Sequence, residues 1–391
     1  MISIEEALQL VIDHSPKMSE CSMDIDHCEG FYLSKTIHSP IHMPPFRQSA
    51  VDGYALHVDN TTNYINIDEI KAGDSHIHNL EKGQAVRIFT GAAVPDSANA
   101  VVMQEHVKAR DNHIIVEGVI MPQQNIRPKG EQVKKGGIAL KAGTKLNAAA
   151  IGYLASLGIT KVDVYKKPTI AIVVTGNELV MPGSDLGYGK IYESNSIMLS
   201  SALRNLGYKN ITIFRVQDDY QNTKDVLQKS ISEHDVVLVT GGISVGDYDF
   251  VGKALHELEV EQIFYKVRQK PGKPLFFGRK NHTTIFALPG NPAAALSCFY
   301  IYVYTVLSKI SGNPFPVLSR QKMRSISDYI RKGDRPQFLK ALCKDGTVEI
   351  LEGQNSSMLQ TFAVANALLY VSKEQEKIAA GDMVETIMLP K

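Results

Sequence analysis

The stretch Thr169-Ile-Ala-Ile-Val-Val-Thr-Gly-Asn-Glu178 decides the fold, because an uninterrupted and largely β-branched run is followed at once by a glycine turn. Runs of the same kind cover Ile211–Val216, Asp235–Thr240 and Thr284–Leu288. Helices are expected between and after these runs, near Ile197–Leu206, Thr223–Ser232, Phe250–Leu258 and Asn291–Ile310. Strands that are apolar on both faces and alternate with helices form a mostly parallel sheet covered on both sides. The sequence therefore predicts a doubly wound α/β domain.

Segments of a different texture flank this predicted domain. From His38 to Gly136, short apolar runs alternate with Gly, Pro, Asn and Asp, which predicts a β-rich unit. One helix is expected to begin after the N-cap Ser3, and another to run from Ala148 to Leu157 after the N-cap Asn147. Short strands return beyond Gly312-Asn-Pro-Phe-Pro, so a small β domain should end the chain.

Composition limits the classes of function. Basic and acidic residues nearly cancel, 42 against 41, which argues against a dominant nucleic-acid or anionic-membrane surface. Four cysteines without a C-x-x-C pair indicate free thiols in a reducing compartment. The amino terminus has no secretory-signal pattern, and the longest apolar run, 293–307, looks too short and too broken to span a bilayer. We expect a cytoplasmic protein that binds neither nucleic acid nor membrane.

Unusual residues follow each predicted parallel strand, where ligands of open α/β sheets bind. They are Thr175, Gly176, Asn177 and Glu178; Asp218 and Asp219; Gly241, Gly242, Ser244, Gly246, Asp247 and Asp249; and Pro289, Gly290, Asn291 and Pro292. Glycines allow close backbone approach and can turn N–H groups toward phosphate. Gly241-Gly242 alone is more often a simple turn, and neither G-x-x-x-x-G-K-[ST] nor G-x-G-x-x-G occurs. Four such loops on one edge nevertheless favour an anion site.

Charged residues cluster near these loops. The stretch 266–274, extended by Arg279 and Lys280, is basic without an acidic residue; a solvated loop is the simplest interpretation, and an oxyanion clamp is the functional one. The strand-end loops also carry five acids: Glu178, Asp218, Asp219, Asp247 and Asp249. Taken singly, each is explained as a helix cap or a surface charge. Taken together, they suit the oxygen ligands that Mg²⁺ prefers. Neither His-x₃-His nor H-E-x-x-H occurs, which disfavours zinc. The motifs Pro45–Tyr54 and Arg87–Pro95 are, from their residues alone, best interpreted as structural turns.

Taken in order, the motifs resemble one known family. They are Pro45–Tyr54, Ile88–Pro95, Val101–Glu105, Asn125–Arg127, Gly130-Glu131, Thr175–Leu179, Gly241–Gly246, Lys270–Pro274 and Leu288–Pro292, and they span nearly the full chain. The resemblance is to the molybdopterin molybdenumtransferases, the molybdenum insertases of molybdenum cofactor biosynthesis, which include the gephyrin E domain. It implies four domains: a helix and elongated connecting domain (1–39 with 137–165), a β-rich domain (40–136), a molybdopterin-binding α/β domain (166–312) and a C-terminal β barrel (313–391).

The resemblance also implies a reaction and its residues. Adenylylated molybdopterin and molybdate react, AMP leaves, and molybdenum is placed on the dithiolene sulfurs. The implied catalytic residues are Asp52, Thr90, Glu178, Asp218 and Asp249, with Mg²⁺ on Asp218 and Asp249. The implied substrate-binding residues are Arg127, Thr175, Gly176, Gly241, Gly242, Ser244, Gly246, Lys266, Lys270, Lys273, Pro289, Pro292, Arg335 and Ser357. The implied assembly is an elongated homodimer with a cleft between the sheet domain of one subunit and the β-rich domain of the other. Molybdopterin adenylyltransferase and molybdoenzyme chaperones are further implied partners.

Three alternatives and four departures accompany the resemblance. A molybdopterin adenylyltransferase would need only the α/β domain, and a non-catalytic gephyrin-like scaffold would not need the acids. A plain oxyanion-binding or sensing protein would not need paired carboxylates beside a phosphate site. Four residues depart from the family pattern: Gln132 and Asn177 stand where Asp is usual, Glu193 where a shorter side chain is usual, and Ala294 where a small polar residue is usual. These departures put the roles of their own positions in doubt, and slower turnover would be one consequence.

Overall fold

The computed structural model describes residues 1–76, 78–217, 219–242 and 250–390. The chain forms two compact units: the first comprises 1–21, 30–34 and 164–391, and the second comprises 22–29 and 35–163. Each unit has hydrophobic clusters of its own. Because one compact unit can hold more than one domain, the four domain boundaries stay predictions.

A six-stranded sheet forms the centre of the first unit. Its strands lie in the order Ile211–Val216, Ile170–Thr175, Val236–Thr240, Thr283–Leu288, Phe276–Lys280 and Glu261–Tyr265. The first four pair in parallel, and the last two are antiparallel. The mostly parallel sheet is therefore confirmed, while the antiparallel edge pair was not predicted, since its inner strand lies within the basic stretch.

Strict alternation along the central strands feeds two separate cores. Ile170, Ile172 and Val174 point into one hydrophobic cluster, whereas Ala171 and Val173 point into the other. Helices cover both faces of the sheet, as the uninterrupted apolar strands predict. The helices of this unit are Ile4–Asp13, Asn195–Asn205, Tyr220–Glu233, Phe250–Glu257, Pro292–Cys298 and Tyr304–Ile310, the last two joined by a π-helical segment, Phe299–Val303.

The long apolar helix corrects one sequence expectation. Pro292–Ile310 is long and apolar enough to cross a membrane by length and composition, contrary to the estimate from the run 293–307. In the structure 83% of it is buried, and it packs against the sheet in the larger core cluster. It is a core helix, so burial rather than length accounts for its composition.

A closed five-stranded barrel completes the first unit. Its strands lie in the order Arg320–Ser325, Thr347–Ile350, Gln337–Lys344, Ala367–Val371 and Met383–Met388. The turn Asp345-Gly346 joins two of them, and both residues have positive φ, at 48° and 77°, as a two-residue hairpin turn requires. The C-terminal β barrel is thus confirmed.

The second unit is β-rich, as predicted. Its six-stranded sheet has the order Ala100–Met103, Gly53–Leu56, Gln84–Ile88, Asn63–Ile70, His113–Val116 and Val107–Arg110. The predicted helix Ala148–Ser156 is present, and the Asn147 side chain accepts a hydrogen bond from the backbone N–H of Ala150. The remaining strands of the chain are short: Glu20–Asp24, Ile37–His38, Gln48–Ser49, Ile126–Arg127, Ile138–Leu140, Lys161–Tyr165, Leu179–Val180, Ile191–Tyr192, Tyr329–Ile330 and Lys377–Ile378.

Candidate active site

A cavity of about 1140 Å³ opens at the carboxyl ends of the parallel strands in the first unit. The sheet side contributes predicted residues from three strand ends: Thr175, Gly241, Gly242, Pro289 and Pro292. The barrel side contributes Arg335 and the segment Gln354–Ser357. The structure thus brings together the strand-end loops and two residues, Arg335 and Ser357, that the sequence places far beyond them.

The glycines of this edge are required by the close packing of neighbouring residues. A Cβ on Gly241, where φ is +92°, would lie 2.1 Å from the carbonyl oxygen of Thr175. A Cβ on Gly242, where φ is +62°, would lie 2.9 Å from a methyl carbon of Val251. Two strand ends and a helix therefore pack closely at these glycines. This packing explains the two glycines without a ligand.

The loop Lys270–Pro274 presents two lysines, Lys270 and Lys273, to the cavity. A buried polar network lies beneath it. Gln269, fully buried, donates from Nε2 to the carbonyl oxygen of Gly272 at 2.9 Å and accepts from the hydroxyl of Tyr302 at 2.5 Å. Because each polar atom in this network has a partner, the network holds the backbone of the loop that carries the two lysines.

Gly272 and Cys298 show how closely this loop is packed. With φ at +83°, Gly272 occupies a left-handed conformation, and a Cβ there would lie 2.4 Å from the Cys298 sulfur. Burial raises the pKa of the Cys298 thiol to about 12. The thiol therefore stays neutral at physiological pH, and it serves packing rather than nucleophilic chemistry.

Only part of the predicted basic clamp faces the cavity. Arg279 and Lys280 pair with the first residues of the strand Thr283–Leu288, at the edge of the sheet opposite to the cavity. Arg268 is held by Asp334 at 3.0 Å, and Lys266 lies over the ring of Tyr265 rather than along the cavity lining. Extending the clamp to Arg279 and Lys280 was wrong, because these residues belong to an antiparallel strand that carries them away.

The predicted acids divide into three groups. Glu178 lines the cavity. Asp219 is the N-cap of helix Tyr220–Glu233 and accepts a hydrogen bond from the backbone N–H of Asn222 at 2.8 Å. This capping role explains the residue without a metal ion. The others, Asp218, Asp247 and Asp249, lie outside the described residues, as do Ser244 and Gly246.

Glu193 has a structural role that accounts for its departure from the family pattern. It is 3% exposed, and its two carboxylate oxygens accept from the backbone N–H and the hydroxyl of Ser196, at 2.7 and 2.5 Å. The N-cap Ser194 makes no side-chain capping bond. The longer acid thus reaches forward to Ser196 to cap helix Asn195–Asn205, and its negative charge lies at the positive end of the helix.

Two asparagines that the sequence reasoning did not single out as polar anchors tie the loops together. Asn195 donates from Nδ2 to the hydroxyl of Thr240 at 2.7 Å and to the carbonyl of Gly290 at 2.8 Å. Asn291 occupies the N-cap position of helix Pro292–Cys298, but its side chain makes no cap bond and donates to the Ser356 hydroxyl at 3.0 Å. The dense polar run from Glu193 to Ser196 was the available signal for Asn195.

The second unit brings Asp52 and Thr90 together. One carboxylate oxygen of Asp52 accepts from both the hydroxyl and the backbone N–H of Thr90, each at 2.7 Å. These two bonds, assisted by the nearby Arg87, lower the pKa of Asp52, so the carboxylate is ionised at neutral pH. Arg127 is exposed, on a short strand that pairs with Gln48–Ser49.

The described part of the chain contains no cluster of three or more His, Cys, Asp or Glu side chains that could hold a metal ion. Glu193 is already committed to Ser196, so among the described carboxylates of the cavity Glu178 is the one available to a cation. A hard divalent ion bound mainly through substrate oxygens would be compatible with one or two protein carboxylates.

Fold and cavity together define a doubly wound α/β protein with a cationic cavity, shared with a C-terminal barrel, at the carboxyl edge of its sheet. Three family descriptions match the chain: "MoeA N-terminal region (domain I and II)" over residues 2–158, "Probable molybdopterin binding domain" over 171–309 and "MoeA C-terminal region (domain IV)" over 322–389.

Relatives align over the full length. The molybdopterin molybdenumtransferase of Staphylococcus epidermidis is 30% identical, over 99% of this chain and 95% of its own. That of a Nostoc species is 31% identical, over 100% and 94%. The crystal structure of the molybdopterin biosynthesis moeA protein from Pyrococcus horikoshii is similar with a TM-score of 0.86 at 29% identity, covering 99% of this chain and 100% of that one. The chain belongs to the molybdopterin molybdenumtransferase family.

Proposed function

We propose that this chain carries out the transferase reaction of its family in molybdenum cofactor biosynthesis: it inserts molybdenum from molybdate into adenylylated molybdopterin and releases AMP. One observation carries the proposal. The cavity joins Lys270 and Lys273, from the region matched as a probable molybdopterin-binding domain, to Arg335, from the matched C-terminal region. Lys332 also lines this cavity, and four cationic residues around it suit a substrate with a phosphate, an adenylate and an incoming oxyanion.

The side chains suit complementary tasks. Lysine is a compact point charge, whereas the planar guanidinium of arginine can bind two oxygens at once. Arg335 is anchored, because one of its terminal nitrogens donates to the carbonyl of Gln269 at 3.0 Å, next to the lysine loop. Fixed cations of this kind stabilise charge that develops on oxygen as a phosphate bond breaks.

Magnesium dependence is part of the proposal. We place Mg²⁺ on Asp218 and Asp249, which lie outside the described residues; Glu178 is the available acid among the described residues that line the cavity. The ion would neutralise phosphate oxygens when bound. Removal of divalent ions with a chelator should abolish AMP release, and Mg²⁺ should restore it. Full activity in the chelated enzyme would rule out a required Mg²⁺ without affecting the transferase assignment.

The homodimer is also proposed. The family resemblance assigns Asp52 and Thr90 to catalysis on substrate held by the other subunit. We expect a solution mass of twice 43.1 kDa in sedimentation equilibrium. Mixed dimers of Asp52→Ala and Lys273→Ala should recover part of the activity that each variant lacks. A monomer, or no recovery in proven mixed dimers, would contradict this arrangement. Adenylyltransferase and chaperone partners and a cytoplasmic location are further predictions of the same resemblance.

The deciding experiment measures AMP release from adenylylated molybdopterin with and without molybdate. We expect molybdate-dependent release from the wild type and a large loss in Lys273→Ala. Lys280→Ala is the matched control, since it removes the same charge from the same basic stretch at the far edge of the sheet. Absence of molybdate-dependent release from the wild type would refute the proposal. Formation of adenylylated molybdopterin from ATP would instead support the adenylyltransferase alternative.

A further inference from the structure

Lys340 is a buried lysine on the barrel strand Gln337–Lys344 and is 4% exposed. Its ammonium group donates to the carbonyl oxygens of Gly353 at 2.7 Å, Met358 at 3.0 Å and Asn355 at 3.2 Å. An ammonium group has three N–H donors, so all three are satisfied. No ion pair to Lys340 occurs in the described part of the chain, and burial lowers its pKa.

A buried charge without a carboxylate partner is costly, and an apolar side chain would fill a barrel strand without that cost. The partners of Lys340 indicate what the lysine provides. All three carbonyls belong to the segment 353–358, which we term the rim loop because Gln354, Asn355, Ser356 and Ser357 line the cavity. Lys340 therefore fixes the orientation of peptide groups at the wall of the active site.

That orientation has a consequence on the opposite side of the same peptides. In a trans peptide the N–H and the C=O point in opposite directions. Since the carbonyls of Gly353 and Asn355 point toward Lys340, the N–H groups of Gln354 and Ser356 point away from it. Across the described ranges, neither N–H donates to a protein acceptor.

The loop is also secured independently of the lysine charge. The Ser356 hydroxyl accepts from Asn291, and its carbonyl accepts from the backbone N–H of Ala294 at 3.2 Å. The Gln354 side chain pairs with the backbone of Lys340, accepting at 2.9 Å and donating at 2.8 Å. A change confined to the ammonium group should therefore reorient peptides without releasing the loop.

We propose that Lys340 is a positioning residue that turns the rim loop so that the N–H groups of Gln354 and Ser356, beside the Ser357 hydroxyl, receive a tetrahedral oxyanion of the substrates. The inference rests on the proposed function, which supplies two such oxyanions, molybdate and the phosphate of adenylylated molybdopterin. Backbone N–H groups directed at one point form an anion-binding concavity without adding charge.

The test compares Lys340→Met with Lys344→Met, which removes the same charge from an exposed position on the same strand. We expect KM for one oxyanion substrate to rise about tenfold in Lys340→Met, as loss of one or two oriented donors implies, with kcat changed much less. Lys344→Met should match the wild type. A rise confined to molybdate would place the rim loop on molybdate, and a rise confined to adenylylated molybdopterin would place it on the phosphate; either supports the inference.

Several outcomes would overturn the inference. If Lys340→Met folds, with a Tm close to that of Lys344→Met, and both KM values are unchanged, the lysine only supports the barrel. If Lys340→Met does not fold, Lys340→Gln is used, and unchanged KM values in that variant are equally decisive. The proposed function is judged separately by wild-type AMP release. If the wild type proves inactive, calorimetric titrations with molybdate and with inorganic phosphate still decide: equal affinity of Lys340→Met and Lys344→Met for both anions refutes the positioning role.

Discussion

Asp52 and Thr90 lie 38 residues apart in the sequence, yet form one hydrogen-bonded pair. The sequence alone favoured a structural turn for each motif, and the family resemblance made both residues functional. The geometry accommodates both interpretations, because the Thr90 bonds fix the carboxylate and also keep it ionised. An acid held in this state can orient water or a cation but is unsuited to donate a proton at neutral pH.

Thr90→Val tests the cause of the lowered Asp52 pKa. The hydroxyl bond is the largest contribution, so its loss should raise the pKa toward the ordinary aspartate value, while the backbone N–H bond remains. In the wild type the depressed pKa favours the folded state above about pH 4, and this contribution is lost as the pH falls through the folded pKa. The measurement is a carbon-13 NMR titration of the Asp52 carboxyl.

The control for this titration is Thr62→Val, an exposed threonine of the same unit. It should leave the Asp52 curve unchanged. An unchanged Asp52 pKa in Thr90→Val would show that the backbone N–H and Arg87 suffice, and that the hydroxyl serves another purpose.

At the scale of elements, regular starts of helices were the most predictable features. Ser3 and Asn147, the predicted N-caps, each accept the capping bond from the backbone N–H three residues later. Asp219 does the same for a helix that the sequence predicted to start nearer Thr223. The edge strands Glu261–Tyr265 and Phe276–Lys280 were missed, because a long Pro- and Gly-containing loop joins them and no short hairpin turn marks the pair. That omission is what placed Arg279 and Lys280 wrongly in the clamp.

Gly272→Ala tests whether the lysine loop depends on close packing. A side chain there adopts a left-handed backbone, which costs about 1–2 kcal/mol, and its Cβ would meet the Cys298 sulfur at 2.4 Å. Overpacking of this kind adds about 1–3 kcal/mol. We expect urea unfolding to show a larger loss for Gly272→Ala than for the control Gly346→Ala, which has φ at +77° and no atom within 4 Å of a Cβ.

The loop should also move away from its position in the cavity, so KM for the anionic substrates should rise in Gly272→Ala and stay unchanged in Gly346→Ala. Adding Cys298→Ala removes the clashing sulfur. The double variant should therefore lose less stability than the sum of the two single variants. Strict additivity would mean that the sulfur does not determine the loop position.

At the scale of the whole molecule, the features that could be predicted were those that depend on local sequence patterns. Four parallel strands, their helices, the β-rich unit and a terminal β domain follow from periodicity and turn residues, whereas closure of that last domain into a barrel came from the family resemblance. Lys340 and Gln269 could not be predicted, because a polar residue in a strand or loop normally indicates solvent exposure. Only tertiary structure shows that each is buried and fully paired. Arg335 and Ser357 came from the family resemblance, not from their local sequence.

The second unit should fold as a separate piece. Its sheet has two hydrophobic clusters, one around Val86 and Ile88 and the other around Leu56 and Tyr64, whose members all lie between residues 35 and 163. A fragment of residues 22–163 should therefore unfold cooperatively, with a free energy of unfolding of about 5–15 kcal/mol, which circular dichroism in urea would measure. Leu56→Asp, which buries an unpaired charge in one cluster, should abolish the transition.

The same fragment tests whether the second unit alone lowers the pKa of Asp52 or whether the rest of the chain is also needed. Both bonds to its carboxylate come from Thr90, within the fragment, so the lowered pKa should persist there. A cooperative transition with an ordinary Asp52 pKa would mean that the rest of the chain is needed to set the pair. A fragment without any cooperative transition would show that the cores of the second unit are insufficient alone. In that case Asp52, the proposed catalytic acid, would depend on the whole chain for its geometry, and the effects of its variants on activity would include changes in that geometry.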